Sequence, residues 1–186
     1  WKLLAALSLA DMLLLIPDDA GDNFVLVAQM RPTTGPTAYQ DDLVGRTLTA
    51  ADRPQLAVAL TEGRICREGD PVWSAEHADR QAPLPIRQEA LPVRFGDRVV
   101  AVVARDTNLA AARTPSQLEI AYLRTANDLA QMLVEGRWPY PGETFAEWSG
   151  PRVGDGLIQL DADGFVTFAS PNALSAYRRL GHLGDL

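Results

Sequence analysis

The side chains best suited to chemistry lie in one polar stretch, residues 64–81. This stretch carries a thiol at Cys66, an indole at Trp73 and an imidazole at His77, and it lacks the periodicity of a helix or a strand. A zinc site needs three or four ligands, mostly Cys and His, whereas the whole chain holds two histidines and one cysteine. We therefore expect a polar surface loop with no metal site.

Arginines within and beside this stretch point to a different chemistry. Arg64, Arg67, Arg80 and Arg87 carry guanidinium groups that bind carboxylate or phosphate through paired hydrogen bonds. They could receive an anionic ligand such as a nucleotide phosphate, or be neutralised by the glutamates and aspartate nearby. The ligand-binding residues predicted from sequence are Arg64, Cys66, Trp73, His77 and Arg87.

Catalytic motifs are missing from the sequence. It contains no phosphate-binding GxxxxGK[ST] loop, no GxGxxG and no nucleophile elbow. The single cysteine, Cys66, excludes an internal disulfide, and its reactivity depends on a thiolate-stabilising environment that sequence does not reveal. We predict no catalytic residues; a redox enzyme dependent on Cys66 stays open as an alternative.

Charge and hydropathy exclude two kinds of partner. The 186-residue chain has 24 acidic and 17 basic residues, a net charge of −7, with Lys2 as its one lysine, so a nucleic-acid surface is not expected. The most apolar run, Leu3–Ile16, spans 14 residues and contains Asp11, short of the ~20 that a membrane span needs. We expect residues 1–16 to form a buried helix.

The remaining patterns in the first 110 residues alternate between strands and helices. Expected in order are a strand at 24–30, a strand or irregular crossing at 39–44, a helix capped by Thr49 and Asp52 and ended by Gly63, and a hairpin of strands 85–93 and 99–105. An antiparallel sheet with helices segregated from the strands is an α+β fold.

One long helix is predicted over residues 114–136, joining two different bodies of sequence. Thr114 is the expected N-cap, Pro115 the first helical residue, and Gly136 the left-handed end. Its apolar residues fall in two stripes at helical spacing. A helix with two apolar faces needs two partners, so we predict a homodimer through helices 1–16 and 115–135.

The tail predicts a second, smaller unit. Residues 157–160 and 165–168 read as a hairpin closed by the turn DADG at 161–164, and Ser170 with Pro171 begins a helix. Two strands and one helix bury little core alone, so we expect either that the sequence stops inside a larger domain or that this unit packs against another part of the protein.

The residues carry a family resemblance. The N-terminal helix, the strand FVLVAQ, the hairpin ALPVRFGDRVVAVVAR and the long closing helix resemble a GAF sensor domain, in which the first and last helices lie on one side of the sheet. The tail GDGLIQLDADGFVTFASPNALSAYRRLG resembles the opening of a PAS domain. Together they resemble the sensory half of soluble actinobacterial GAF-then-PAS sensor histidine kinases, the PdtaS-like group.

The resemblance implies a GAF-like domain at 1–137, a linker at 138–150 and the N-terminal part of a PAS-like domain at 151–186. It also implies a cytoplasmic two-component histidine kinase whose kinase core binds ATP and Mg²⁺ and passes phosphate to a response regulator. This sequence has no phospho-acceptor histidine motif and no ATP-binding boxes, so we predict that the chain has no kinase activity and no cofactor itself. A dimerisation or assembly module without a ligand stays open as the alternative.

Overall fold

Four α-helices, eight strands and a short 3₁₀ helix form the described chain. The computed structural model describes residues 1–67, 69, 71–74, 84–110, 113–138 and 152–181, with the backbone alone for 72–74. The elements are α1 (Lys2–Ser8), β1 (Asp11–Pro17), β2 (Asn23–Met30), β3 (Thr47–Thr49), α2 (Pro54–Glu62), β4 (Val72–Ser74), β5 (Leu84–Phe95), β6 (Arg98–Asn108), α3 (Gln117–Val134), the 3₁₀ helix (Val153–Asp155), β7 (Ile158–Leu160), β8 (Val166–Ala169) and α4 (Pro171–Arg179).

The first six strands form one antiparallel sheet in the order β3-β2-β1-β6-β5-β4. β1 and β6 lie at its centre, and both contain continuous apolar runs because side chains on both faces of a central strand are buried. Met12, Leu13, Val102 and Val103 are each at most 1% exposed. The apolar run Val99, Val100, Val102 and Val103 predicts a strand in the middle of the core. This is right for Val102 and Val103, whereas Val99 is half-buried and Val100 is 41% exposed.

The prediction of one helix over residues 1–16 is wrong. The helix ends at Ser8, Leu9 adopts a left-handed conformation with φ of 53°, and the chain then enters β1. The run MLLLI that follows Asp11 is apolar without a break, and such a run fits a buried strand as well as a buried helix. Pairing with both β2 and β6 satisfies its backbone groups and decides the outcome.

Helices cover the sheet on both faces. α1 and α3 pack together on one face, where Leu4, Leu7, Tyr122 and Ala126 are buried with Met12 and Val103 from the sheet. α2 lies on the opposite face, with Leu56 and Ala59 against Leu13, Phe24 and Ile86. The predicted α+β layout, with the first and last helices of this unit on one side, is confirmed.

The hairpin and the C-terminal end of α3 follow their sequence signals, whereas the predicted start of α3 needs correction. The helix begins two residues later than predicted, because Ser116 rather than Thr114 caps it: the Ser116 hydroxyl accepts from the Glu119 N–H, and the Glu119 carboxylate accepts from the Ser116 N–H. Gly136 has the expected positive φ, 68°. Strands β5 and β6 pair as predicted and extend further, to Asn108.

The predicted start of α2 is wrong, and residues 39–44 adopt one of the two conformations that the sequence allows. Thr49 and Asp52 do bond each other, with 2.7 Å between Thr49 Oγ1 and Asp52 Oδ2, but the helix starts later, at Pro54, with Arg53 as N-cap. Its end at Gly63 is as predicted, with φ of 63°. Residues 39–44 form an irregular crossing rather than a strand.

The tail forms the predicted hairpin and helix. β7 and β8 pair across the turn at 161–164, and the Ser170 hydroxyl accepts from the Ala173 N–H at the start of α4. Val153 is 8% exposed and belongs to the α1–α3 core cluster. Across the described ranges, no helix combines the length and the hydropathy that a membrane span requires.

Candidate functional site

A cavity of about 660 Å³ opens on the α1–α3 face of the sheet. We call it the helix-side pocket; its described lining is Ser8 and Leu9 at the end of α1, Thr34, Gly35 and Pro36, Arg67, Arg87 and Glu89 on β5, Arg105, Thr107 and Asn108 on β6, Leu109, Arg113 and Pro115, and Glu119, Leu123 and Asn127 on α3. This volume is in the range that holds a small organic ligand.

Strand register and helix period place the polar lining. Arg87 faces Thr107 and Glu89 faces Arg105 across the β5–β6 ladder, so these four side chains stand on one face of the sheet. Glu119, Leu123 and Asn127 recur every four residues, which puts them on one face of α3. The two elements therefore close the pocket from opposite sides.

The pocket carries an excess of positive charge. Its lining has four arginines against two glutamates, an excess of two. The side chain of Arg105 is 7% exposed; its Nε lies 2.6 Å from Glu89 Oε2 and its Nη2 lies 3.1 Å from Asn127 Oδ1. Arg67 reaches the other Glu89 oxygen, 3.1 Å away. One carboxylate thus joins two guanidinium groups, and α3 is tied to the sheet through Asn127.

The second glutamate of the pocket belongs to the start of α3. Arg113 donates to both carboxylate oxygens of Glu119 at 2.6 and 3.0 Å. The pKa of Glu119 is lowered to about 2, mainly by the hydrogen bond from the Ser116 N–H and next by the bonds from Arg113. Glu119 therefore stays ionised at physiological pH and remains committed to the helix cap.

The end of α1 contributes an unsatisfied donor. Ser8 is 3% exposed, and its hydroxyl has no hydrogen-bond partner within the described residues. A buried hydroxyl without a partner is costly. The adjacent Leu9 holds the left-handed conformation and packs against Gly35, where an added Cβ would lie 3.3 Å from the Leu9 Cβ. The wall of the pocket is therefore a strained helix end held in place by its neighbours.

The opposite face of the sheet holds a buried carboxylate pair. Asp11 and Asp106 are directly paired on β1 and β6, and both are fully buried. Asp106 accepts from Arg53 and from the Tyr39 hydroxyl, each at 2.6 Å. Asp11 accepts from the Thr37 hydroxyl at 2.7 Å and from a backbone N–H. The pair fastens the irregular crossing and the start of α2 onto the central strands.

Burial dominates the titration of Asp11. Desolvation raises its pKa, and the charge of Asp106 adds to that rise, while the bonds from Ala38 N–H and Thr37 and the charge of Arg31 oppose it. The same Thr37 hydroxyl lies 2.7 Å from the Tyr39 carbonyl, so it can accept from a protonated Asp11 and donate to that carbonyl instead. The network accommodates either protonation state.

The structure separates the residues predicted as a ligand site. Arg87 lines the helix-side pocket. Cys66 is 3% exposed in the apolar core of the opposite face, and Arg64 lies at the surface with its Nε 2.5 Å from Glu62. The backbone of Trp73 is in β4, and His77 lies outside the described residues. Alternation explains the split, because Cys66 bridges Ala90 while its neighbour Arg67 points to Glu89.

Sequence reasoning missed several pocket residues. Ser8, Arg105 and Asn127 come from α1, β6 and α3, which are far apart in the chain. No local spacing links them. The one available signal was Arg105, a charged residue that ends the valine run of β6 and is buried there.

A six-stranded antiparallel sheet, with its first and last helices packed together over a ligand-sized pocket, defines the class of GAF sensor domains. The family model described as "Histidine kinase PdtaS, GAF domain" matches residues 1–126. The chain belongs to this family.

Comparisons over the whole chain agree. It is 46% identical over 189 residues to the sensor histidine kinase PdtaS of Mycobacterium tuberculosis (strain H37Rv) and 45% identical over 186 residues to that of Mycolicibacterium smegmatis. These matches cover 100% of this chain and 36% of each relative. A solved structure titled as the sensor region of a sensor histidine kinase superposes with a TM-score of 0.78 at 42% identity, covering 100% of this chain and 61% of that one.

Proposed function

We propose that the chain is the signal-detecting part of a cytoplasmic two-component histidine kinase. Its relatives are named as sensor histidine kinases, and the chain spans 36% of their length. The whole protein would autophosphorylate from ATP, with Mg²⁺ and nucleotide held in a kinase core joined to this chain, and would pass the phosphate to a response regulator. The chain itself would contribute a conformational equilibrium that a signal shifts.

The observation that supports this role most strongly is that α3 contacts both the first unit and the tail. Its residues Tyr122, Ala126 and Ala130 are buried in the core of the first unit. On the same helix, the Thr125 hydroxyl accepts from the Gln159 side chain on β7 at 2.6 Å. One helix thus contacts both the pocket-bearing sheet and the tail, which provides a physical connection between them.

A division into units is compatible with these contacts. We propose a GAF sensor domain at 1–137, a linker at 138–150 and the opening of a PAS-like domain at 151–186. The hairpin β7–β8 followed by α4 supports the last assignment. In this arrangement α3 carries the signal out of the first domain, and the tail receives it.

The ligand site of the first domain would be the helix-side pocket. Within the described part of the sequence-predicted set, Arg87 lines it, and Arg105, Ser8 and Asn127 join it there. Arg64 and Cys66 lie elsewhere in the structure, as described above. Pocket and signal helix are in direct contact, because α3 forms one wall of the cavity.

Homodimerisation is a second proposal, and α3 is the element that favours it. Leu129 and Leu133 are half-buried, and so are Ile120 and Met132, which leaves apolar surface along the helix. The partner helix predicted at 1–16 is instead α1 with β1, and α1 packs against α3 of the same chain. Light scattering should give twice the chain mass, and a strict monomer at high concentration would remove this proposal.

Autophosphorylation of the full-length protein tests the sensory role. Gln159→Leu removes the bond between β7 and α3 and leaves the core untouched, so we expect the autophosphorylation rate to change at least threefold. Arg124→Gln, an exposed change on the same helix, is the matched control and should leave the rate unaltered. Equal rates in all three proteins would contradict transmission through α3.

A further inference from the structure

We propose that the helix-side pocket binds a small organic anion, with one carboxylate or phosphate head and an apolar body. This inference names the ligand class of the sensor domain and therefore rests on the proposed function. It places the ligand between the sheet and α3, on the face opposite the buried carboxylate pair. Three independent features of the pocket carry it.

The first feature is a free positive charge at the pocket wall. Arg87 is exposed, lines the pocket, and has no hydrogen bond or ion pair with any described residue. Its neighbour Arg105 is buried, and only its Nε and one Nη2 hydrogen are engaged, by Glu89 and Asn127. A guanidinium carries five N–H donors, so three of those on Arg105 have no partner among the described residues. Guanidinium groups with spare donors bind carboxylate and phosphate oxygens in pairs.

The second feature is the buried hydroxyl of Ser8. It is 3% exposed, lines the same cavity, and has no partner in the described structure. A buried hydroxyl without a hydrogen bond lowers the stability of the fold, and a ligand oxygen that accepts from it would recover that free energy. Ser8 lies at the end of α1, so a bound anion would join α1 to the sheet.

The third feature is the apolar part of the lining. Leu9, Pro36, Leu109, Pro115 and Leu123 share the cavity with the arginines. A fully ionic partner such as a metal complex gains nothing from these surfaces, whereas a hydrocarbon or aromatic body buries apolar area against them. The pocket volume, about 660 Å³, exceeds what an inorganic ion alone would fill.

The position of the pocket connects binding to signalling. Leu123 and Asn127 belong to α3, and Asn127 is already linked to Arg105. A bound anion could break the hydrogen bond between Arg105 and Asn127, or strengthen it by binding both side chains. Either effect would change the contact between α3 and the sheet. A ligand shifts an equilibrium only as far as its affinity differs between two states, and this contact supplies such a difference.

Calorimetric titration of the full 186-residue chain tests the proposal. The probes are benzoate, phenyl phosphate and the uncharged isostere benzamide. Benzoate or phenyl phosphate should bind saturably, and benzamide at least tenfold more weakly, because a charge-assisted bond to Arg87 or Arg105 is lost. Whichever anion binds tighter identifies the head group. Equal binding of benzamide, or no saturable binding of either anion, would overturn the proposal.

Two variants locate the site. Arg87→Gln should weaken the anion about 10- to 100-fold while the circular dichroism spectrum stays unchanged, since Arg87 is exposed and makes no described bond. Ser8→Ala should weaken it about threefold or more without loss of folding. Arg124→Gln, an exposed arginine outside the pocket, is the control. Unchanged affinity in both pocket variants would refute the site.

The outcome is separable from that of the proposed function. Anion binding with this mutational pattern, without any response of full-length autophosphorylation to Gln159→Leu, would keep the site and remove the coupling. A response to Gln159→Leu in a protein that binds neither anion would keep the sensory role and remove this inference.

Discussion

Replacing Arg53 with methionine removes one partner of the buried ion pair on the α2 face. The Arg53 side chain is 8% exposed and that of Asp106 is fully buried, with 2.6 Å between Nη2 and Oδ1. Methionine keeps much of the side-chain volume but removes the positive charge beside the buried Asp106 carboxylate. Among the described residues, the Tyr39 hydroxyl still donates to that carboxylate. Breaking such a pair costs about 3–5 kcal/mol, a large share of the 5–15 kcal/mol that a domain typically has.

Urea unfolding followed by circular dichroism measures this loss. With an m-value of about 2 kcal/mol/M, the midpoint should fall by about 1.5–2.5 M. Asp106→Asn combined with Arg53→Met removes both charges, and the double variant should regain at least half of the lost stability because no buried charge is left unpaired. A loss below about 1 kcal/mol in Arg53→Met, or no recovery in the double variant, would show that the Arg53–Asp106 pair does not stabilise the buried carboxylate.

Three further predictions concern a pH response, a helix cap and the tail. Asp11 has a raised pKa, so the parent protein should lose stability as pH rises through that pKa; Asp11→Asn should gain relative to the parent above pH 3.8, and parallel pH–stability curves would contradict this. Ser116→Ala removes the cap of α3 and should lower the free energy of unfolding in urea by about 1 kcal/mol. The parent should lose stability as pH falls from 4.5 towards 2, because Glu119 becomes protonated, and Glu119→Gln should remove this pH dependence. No change in either variant would count against the capping box. Gly156 has φ of 110°, and an added Cβ would lie 2.7 Å from the Ala173 nitrogen, so Gly156→Ala should speed hydrogen exchange in α4 while leaving β6 protected, and unchanged exchange in α4 would argue against tight packing there.

Local signals in the sequence located most of the elements correctly. The turn chemistry at Gly96 and at 161–164, the helix stops at Gly63 and Gly136, and the start of α4 at Ser170 are all where the sequence predicts them. In each case one residue type supplies the backbone conformation or hydrogen bond that the position needs. Such signals act over a few residues, so they can be read from the sequence without knowing the tertiary structure.

The failures occurred where tertiary contacts decide. Residues 11–17 form a strand because β2 and β6 pair with them on both sides, and neither partner is visible from the run itself. The end of α1 is marked by Leu9 in a left-handed conformation, a position that usually carries Gly or Asn. Without those residues, the sequence offers no stop signal between α1 and β1.

The candidate site was predictable only in its chemistry. The sequence offers Arg67 and Arg87 as possible anion-binding side chains, and both line the helix-side pocket. Cys66 was grouped with them because it is adjacent in sequence, yet alternation along the extended chain places it in the core of the opposite face. The buried hydroxyl of Ser8 becomes visible only when three elements are assembled around it.

Ligand binding in the helix-side pocket should change the tail through α3. Hydrogen–deuterium exchange of the full chain, with and without saturating benzoate or phenyl phosphate, tests it most directly. We predict altered exchange in α3 and also in residues 153–179, which do not line the pocket but contact α3 and α1. Altered exchange confined to β5, β6 and the end of α1 would contradict it.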